Sequence, residues 1–227
     1  MVRNIKKITV VCAVLMMAIS GSVFAFSFSD IQYWVGTGSN QAGLVIDWND
    51  GKNPQSLAWG FRWDGTATGE TMLTAIAQAD SRLFIHISTP GGYGVALFGV
   101  GYDLNNNGTF ATNPALTFSN GISVGSPNDN RVSIEAGDHY KEGWMSAGYW
   151  SYWLKSSSSA NWEFSGVGMS GRTLTNGAWD GWSFANNFNS TAPKTPIAAE
   201  PIPEPSTLIA MGLGMTAVAG RFLRKLF

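Results

Sequence analysis

Asp103, Asn105, Asn107 and Gly108, in the stretch YDLNNNGTF, occupy the first, third, fifth and sixth positions of a calcium-loop pattern. Side-chain oxygens at alternate positions can converge on one hard cation, and the glycine allows the sharp turn. Position twelve is Pro114, where such a loop needs a bidentate glutamate. Two of the three candidate ligands are neutral amides, so the expectation is a weak Ca²⁺ site at Asp103, Asn105 and Asn107 and no other cofactor. The competing reading is an Asn-rich loop whose side chains bond their own backbone. A second concentration, EAGDHYKEGWMSAGYWSYW, holds Glu135, Asp138, His139 and Glu142 beside Trp144, Trp150 and Trp153. Carboxylate pairs cut glycosidic bonds when they flank a cleft, so Asp138, Glu142 and Glu163 are the candidates for a glycan hydrolase. Tryptophan faces suit sugar rings, which makes Trp144, Trp150 and Trp153 candidate ligand contacts.

Other chemistries are closed off. Cys12 is the only cysteine and lies in the leader described below, so the exported body has no disulfide, thiol nucleophile or thiolate zinc site. With two histidines, a His-rich metal site is excluded and a Ser-His-Asp triad would need His86 or His139. His86, in LFIHIS, reads as a half-buried, hydrogen-bonded strand residue. GVGMSGR ends on Arg172 where a nucleophile elbow needs glycine. TPGGYG lacks the lysine of a phosphate loop. No catalytic residue is assigned, and the body is expected not to be an enzyme.

These residues belong to a body of about 175 residues, enough for one domain with its own core. From Phe26 to Pro205 eight Lys and Arg face all fifteen Asp and Glu, a net charge of −7. Such a body is a poor ligand for phosphate backbones, so nucleic acid is not an expected partner. All ten tryptophans lie in it, among frequent Gly, Asn and Ser turns. Low charge with many aromatics and turns describes a β-rich exported domain. Strands are expected at Asp30–Val35, Gly43–Trp48, Ser56–Trp63, Leu83–Ser88, Tyr93–Tyr102, Ser146–Leu154, Trp162–Gly166 and Trp179–Phe184. One helix is expected over 68–80, with Thr68 as N-cap, Glu70 in the first turn and Met72, Leu73, Ile76 and Ala77 on one apolar face. WNDG, RWDG and AWDG each place an Asp-Gly turn after a tryptophan. The fold class is therefore α+β and β-rich, a mainly antiparallel sheet with one packed helix.

The two ends are of another kind. Arg3, Lys6 and Lys7, the apolar run Ile8–Ile19 and the small residues before Ala25 form a secretory signal peptide over 1–25. The globular domain then covers 26–185, an Ala/Pro-rich linker 186–205 and a C-terminal membrane span 206–227. Thr207–Gly220 carries no charge and, with Phe222 and Leu223, approaches the ~17 residues that cross a bilayer. Arg221, Arg224 and Lys225 follow, where positive charge favours the cytoplasmic face.

Pro203-Glu204-Pro205, the apolar run and the basic tip resemble the PEP-CTERM sorting signal of Gram-negative bacteria over residues 203–227. The resemblance implies Sec export, anchoring in the inner membrane by the tail and processing by an exosortase, a membrane protease. The body then reaches the cell surface or extracellular matrix, with exopolysaccharide as a possible partner. Thr66–Phe184 looks like secreted domains related to the C-terminal domain of transcobalamin, in the order of its helix and its YW-rich strand. That likeness carries over no ligand residue. The expected function is a non-catalytic envelope or matrix protein binding glycan or another matrix component. The alternatives are the secreted hydrolase and a small-ligand-binding domain.

Overall fold

A computed structural model of the chain describes residues 26–202; the expected signal peptide and membrane span lie outside them. After a short 3-10 turn at Phe28–Asp30 come β1 (Trp34–Gly36), β2 (Asn40–Asp47), β3 (Ser56–Trp63), α1 (Gly69–Ala79), β4 (Leu83–Ile87) and β5 (Leu97–Tyr102). Then follow β6 (Thr112–Asn113), β7 (Ile122–Val124), β8 (Val132–Ser133), β9 (His139–Glu142), β10 (Gly148–Lys155), β11 (Glu163–Phe164), β12 (Trp179–Asn186) and β13 (Ile197–Ala198).

The strands form a large sheet in the order β1-β3-β2-β12-β10-β11, a four-stranded sheet β7-β4-β5-β9 and the small pair β6-β8. The pairing is mainly antiparallel, as expected, but it is divided between sheets and both larger ones are mixed. β12 runs parallel to β2, β1 and β13 parallel to β3, and β7 parallel to β4. The reason is topological. β2 and β12 are more than 130 residues apart, so they are joined by no hairpin but through all the intervening strands of the second sheet.

Alternation along the central strands builds two buried faces. Ala42, Leu44 and Ile46 of β2, Leu57, Trp59 and Phe61 of β3, and Trp182 and Phe184 of β12 share the main core with Leu83, Ile85, Leu97 and Val100 of the second sheet. On the opposite face Val45, Ala58 and Trp179 pack under Ile31, Phe26, Phe28, Trp34 and Trp162. The rings of Trp34 and Trp179 lie directly over Gly60 and Gly43, where a Cβ would collide with the indole. Six of the ten tryptophans are buried, so most of them are core.

The helix forms as its sequence dictates. Thr68 Oγ1 accepts the Thr71 amide at 3.1 Å, and Met72, Leu73, Ile76 and Ala77 are buried. Such a cap contributes about 1 kcal/mol. At the other end Asp80 leaves helical geometry, and its carboxylate takes the Trp59 indole N–H at 3.0 Å and the Arg82 guanidinium at 2.8 and 3.0 Å.

The stretch expected as a linker is docked over its described part. Ile197 and Ala198 pair with Leu57 and Ala58, Ala199 is buried, and Arg82 Nη2 donates to the Glu200 carbonyl at 2.5 Å. With β1, this segment covers the free edge of β3, which would otherwise offer unpaired backbone groups. AWDG is also corrected. Gly51 and Gly65 take positive φ in turns, as expected, but Ala178–Gly181 enters β12 and Asp180 is fully buried.

Candidate functional site

The connection from β4 to β5 faces β10 across an open groove of about 370 Å³. Tyr93, Trp144, Tyr149, Trp150, Tyr152 and Trp182 line it, with Val95, Leu97 and Met169 between them. Tyr152 and Trp182 stack at 4.3 Å to form the floor, and Trp150 beside them is almost fully buried. Tyr93 is fully exposed and Trp144 is 46% exposed, its ring edge-on to Phe98 at 5.1 Å.

Two polar devices hold the rims. The Gly91–Gly94 turn carries Tyr93, and beyond it the Val95 amide donates to Ser170 Oγ at 2.9 Å. Ser170 in turn donates to Glu70 at the start of α1, at 2.6 Å. On the other side the Asp129 carboxylate accepts from the amides of Trp144 and Ala147 at 2.9 Å and Met145 at 3.0 Å, from the Ser146 amide, and from Ser146 Oγ at 2.9 Å. Burial opposes that charge, but the Ala147, Ser146 and Trp144 donors outweigh it and hold the carboxyl down at about 2. Because the folded value is depressed, the clamp is complete above the ordinary carboxylate range. It is lost as pH falls from about 4 towards 2. Asp129→Ala should therefore speed hydrogen exchange at the Met145–Ala147 amides by about tenfold, with the overall fold kept. In that variant the acid-induced loosening of the rim disappears from exchange measured across the same pH range.

The sequence-predicted carboxylates are not brought together. Glu142 is buried in β9, where Arg131 Nη1 donates to both its oxygens at 2.6 and 2.7 Å and the Asn128 amide donates at 2.7 Å. Tyr140 OH also donates to it, and His86 Nδ1 lies 3.1 Å away. Burial alone would raise the Glu142 carboxyl, yet the bonds from His86, Tyr140, Arg131 and Asn128 lower it. His86 is fully rather than half buried. Asp138 is buried just ahead of β9, whereas Glu163 sits exposed on β11 at the edge of the other sheet, lining a polar cleft with Lys155 and Arg172. Of the three candidate tryptophans, Trp144 forms the groove's rim and Trp150 its floor. Trp153 projects from the other face of β10, its Nε1 donating to Ser151 Oγ at 2.9 Å. Asp103, Asn105 and Asn107 form one loop. The Asp103 carboxylate accepts the Asn107 and Gly108 amides, and the two asparagine oxygens accept the amides two residues on.

Sequence reasoning missed Tyr93, Tyr149, Tyr152, Trp182 and Asp129. The Gly-rich TPGGYG stretch marks Tyr93 as a residue carried on an exposed turn. Nothing local marks Asp129, whose partners lie 15 or more residues away.

Residues 201–225 match the family model of the PEP-CTERM protein-sorting motif. The chain thus carries that sorting signal, the mark of an exported protein processed by an exosortase, a membrane protease. Pro203, Glu204, Pro205, Arg221, Arg224 and Lys225 lie within or at the end of the match and outside the described residues. No curated protein and no solved structure matches the chain, so nothing supports the transcobalamin likeness of the body. Among the described residues no helix is long and apolar enough to cross a membrane.

Proposed function

We propose that this is a non-catalytic protein of the cell surface or extracellular matrix, delivered by its sorting signal, whose aromatic groove binds glycan. The groove carries the reading. Seven aromatic side chains, Phe164 of β11 among them, come from five separate segments to line one open cleft, and both rims are fastened by hydrogen bonds before any ligand arrives. The C–H faces of sugar rings pack on aromatic faces, and a prefastened rim loses little conformational entropy on binding. The net charge of −7 over Phe26–Pro205 favours a neutral glycan over a polyanion. Exopolysaccharide is the glycan that the sorting route would bring to the protein. Co-sedimentation of the purified chain with exopolysaccharide from the producing bacterium tests this. Enrichment in the pellet, reversed by free oligosaccharide, is expected; protein left in the supernatant at every polysaccharide concentration would rule the reading out.

A further inference from the structure

The Asn-rich loop lies in a different part of the molecule from the groove, and its surroundings supply what its sequence lacks. Pro114 is turned to other work, its carbonyl accepting from Thr112 Oγ1 and Arg131 Nε. Glu135, from the β8–β9 connection, instead lays its carboxylate against the loop. Oε2 lies 2.8 Å from Asn105 Nδ2, and Oε1 lies 2.9 Å from Asn107 Nδ2 and 3.0 Å from Thr109 Oγ1. A carboxylate with both oxygens on the third and fifth loop residues stands in for the one missing at position twelve.

The second, independent observation is Asp138. It is 1% exposed, and its Oδ1 accepts the amide of Leu104, the residue after Asp103, at 3.1 Å. Its Oδ2 is buried with no hydrogen-bond partner at all. The Asp138 amide also donates to the Glu135 carbonyl at 3.2 Å, so backbone bonds hold Asp138 beside both Glu135 and the residue that follows Asp103. The nearest cation does not satisfy Oδ2: the Lys52 ammonium donates to the Asp138 carbonyl oxygen. A buried carboxylate oxygen left unpaired is costly and calls for a counter-ion.

We propose that Asp103, Asn105, Asn107, Glu135 and Asp138 form a Ca²⁺ site. All donors are oxygens, which selects a hard cation over zinc or copper, and an irregular set of carboxylates and amides suits Ca²⁺ better than octahedral Mg²⁺. Among the described residues no three acidic or imidazole groups yet stand in metal-binding array. Occupation turns Glu135 from the asparagine amides to the ion, a movement of side chains. With neutral amides among the ligands, the affinity is that of an extracellular module, a Kd of about 10⁻⁴–10⁻³ M.

The test is calcium titration of the full chain in detergent after chelator treatment, followed by calorimetry and thermal melting. At a roughly hundredfold excess of Ca²⁺ over Kd the melting temperature should rise by about 5–10 °C. Glu135→Gln, at a half-buried position, should weaken binding at least about tenfold. Asp138→Asn should raise the calcium-free melting temperature while weakening the calcium response. Glu163→Gln, remote on β11, should leave the response unchanged. The site is refuted by absence of both heat and melting shift, by an equal response to Mg²⁺, or by wild-type calcium binding in Glu135→Gln.

Discussion

Replacing Glu142 by alanine is expected to lower the melting temperature by about 10 °C, the largest stability effect of any single polar substitution in the body. The Glu142 side chain is fully buried and joins four groups: the Arg131 guanidinium, the Tyr140 hydroxyl, the His86 ring and the Asn128 amide. Truncation strands all four, and His86 already has a buried Nε2 with no partner. Breaking a buried ion pair from one side costs about 3–5 kcal/mol. The pH dependence carries its own sign. The Glu142 carboxyl is lowered on folding, so its stabilisation is present above the ordinary carboxylate range and is lost as acid carries pH through the lowered value. Glu142→Gln should therefore melt lower than wild type at neutral pH and lose less on acidification. Melting curves of the three proteins between neutral pH and about pH 3 check both statements. A general acid in an open cleft would behave otherwise, since its loss would leave the melting temperature nearly unchanged.

Trp144→Ala and Tyr93→Ala should each weaken glycan binding by about tenfold, the equivalent of about 1.4 kcal/mol, and the double variant by about a hundredfold. The magnitude is that of one aromatic face removed from a sugar ring. The two residues belong to opposite rims, share no direct contact and should act additively. Both side chains are exposed, so the fold should survive. Tyr93 buries nothing, and Trp144 gives up only its edge contact with Phe98. Trp153→Ala provides the contrast, because that ring lies on the other face of β10 and reaches the groove only through its edge contact with Phe164, so its loss should change affinity far less. Affinity measured by calorimetry beside a melting curve for each variant separates lost contact from lost structure.

How much of this could be read from the chain varies element by element. Ser56–Trp63 is a strand with the bounds its alternating Leu57, Trp59, Phe61 and Trp63 predict, and Thr68 caps the helix as expected. Both signals are local. His139–Glu142, by contrast, is invisible as a strand, because its inward groups are polar. His139 stacks on Trp48 at 4.5 Å and bonds Asp50, and Glu142 takes Arg131, so hydrogen bonds replace the apolar pattern. Asp180 was hidden in the same way: an Asp-Gly pair signals a turn, yet here the carboxylate is buried against Tyr152 and Arg172 inside β12. Burial pushes its carboxyl up, against the pull of those two partners. The groove was half legible. Trp144 and Trp150 stand out as a cluster, but Tyr93 and Trp182 join them only through the placement of β12 beside β10 and of the β4–β5 turn across from it. Pairings of that sequence separation leave no trace in composition or periodicity.

A crystal structure of the chain with an oligosaccharide cut from the native exopolysaccharide tests the proposed role most directly. The groove reading predicts a sugar ring lying flat on Trp144 or Tyr93, about 4 Å from the aromatic plane, above the Tyr152–Trp182 floor. An oligosaccharide bound elsewhere, or an unoccupied groove at concentrations that saturate binding in solution, would contradict it.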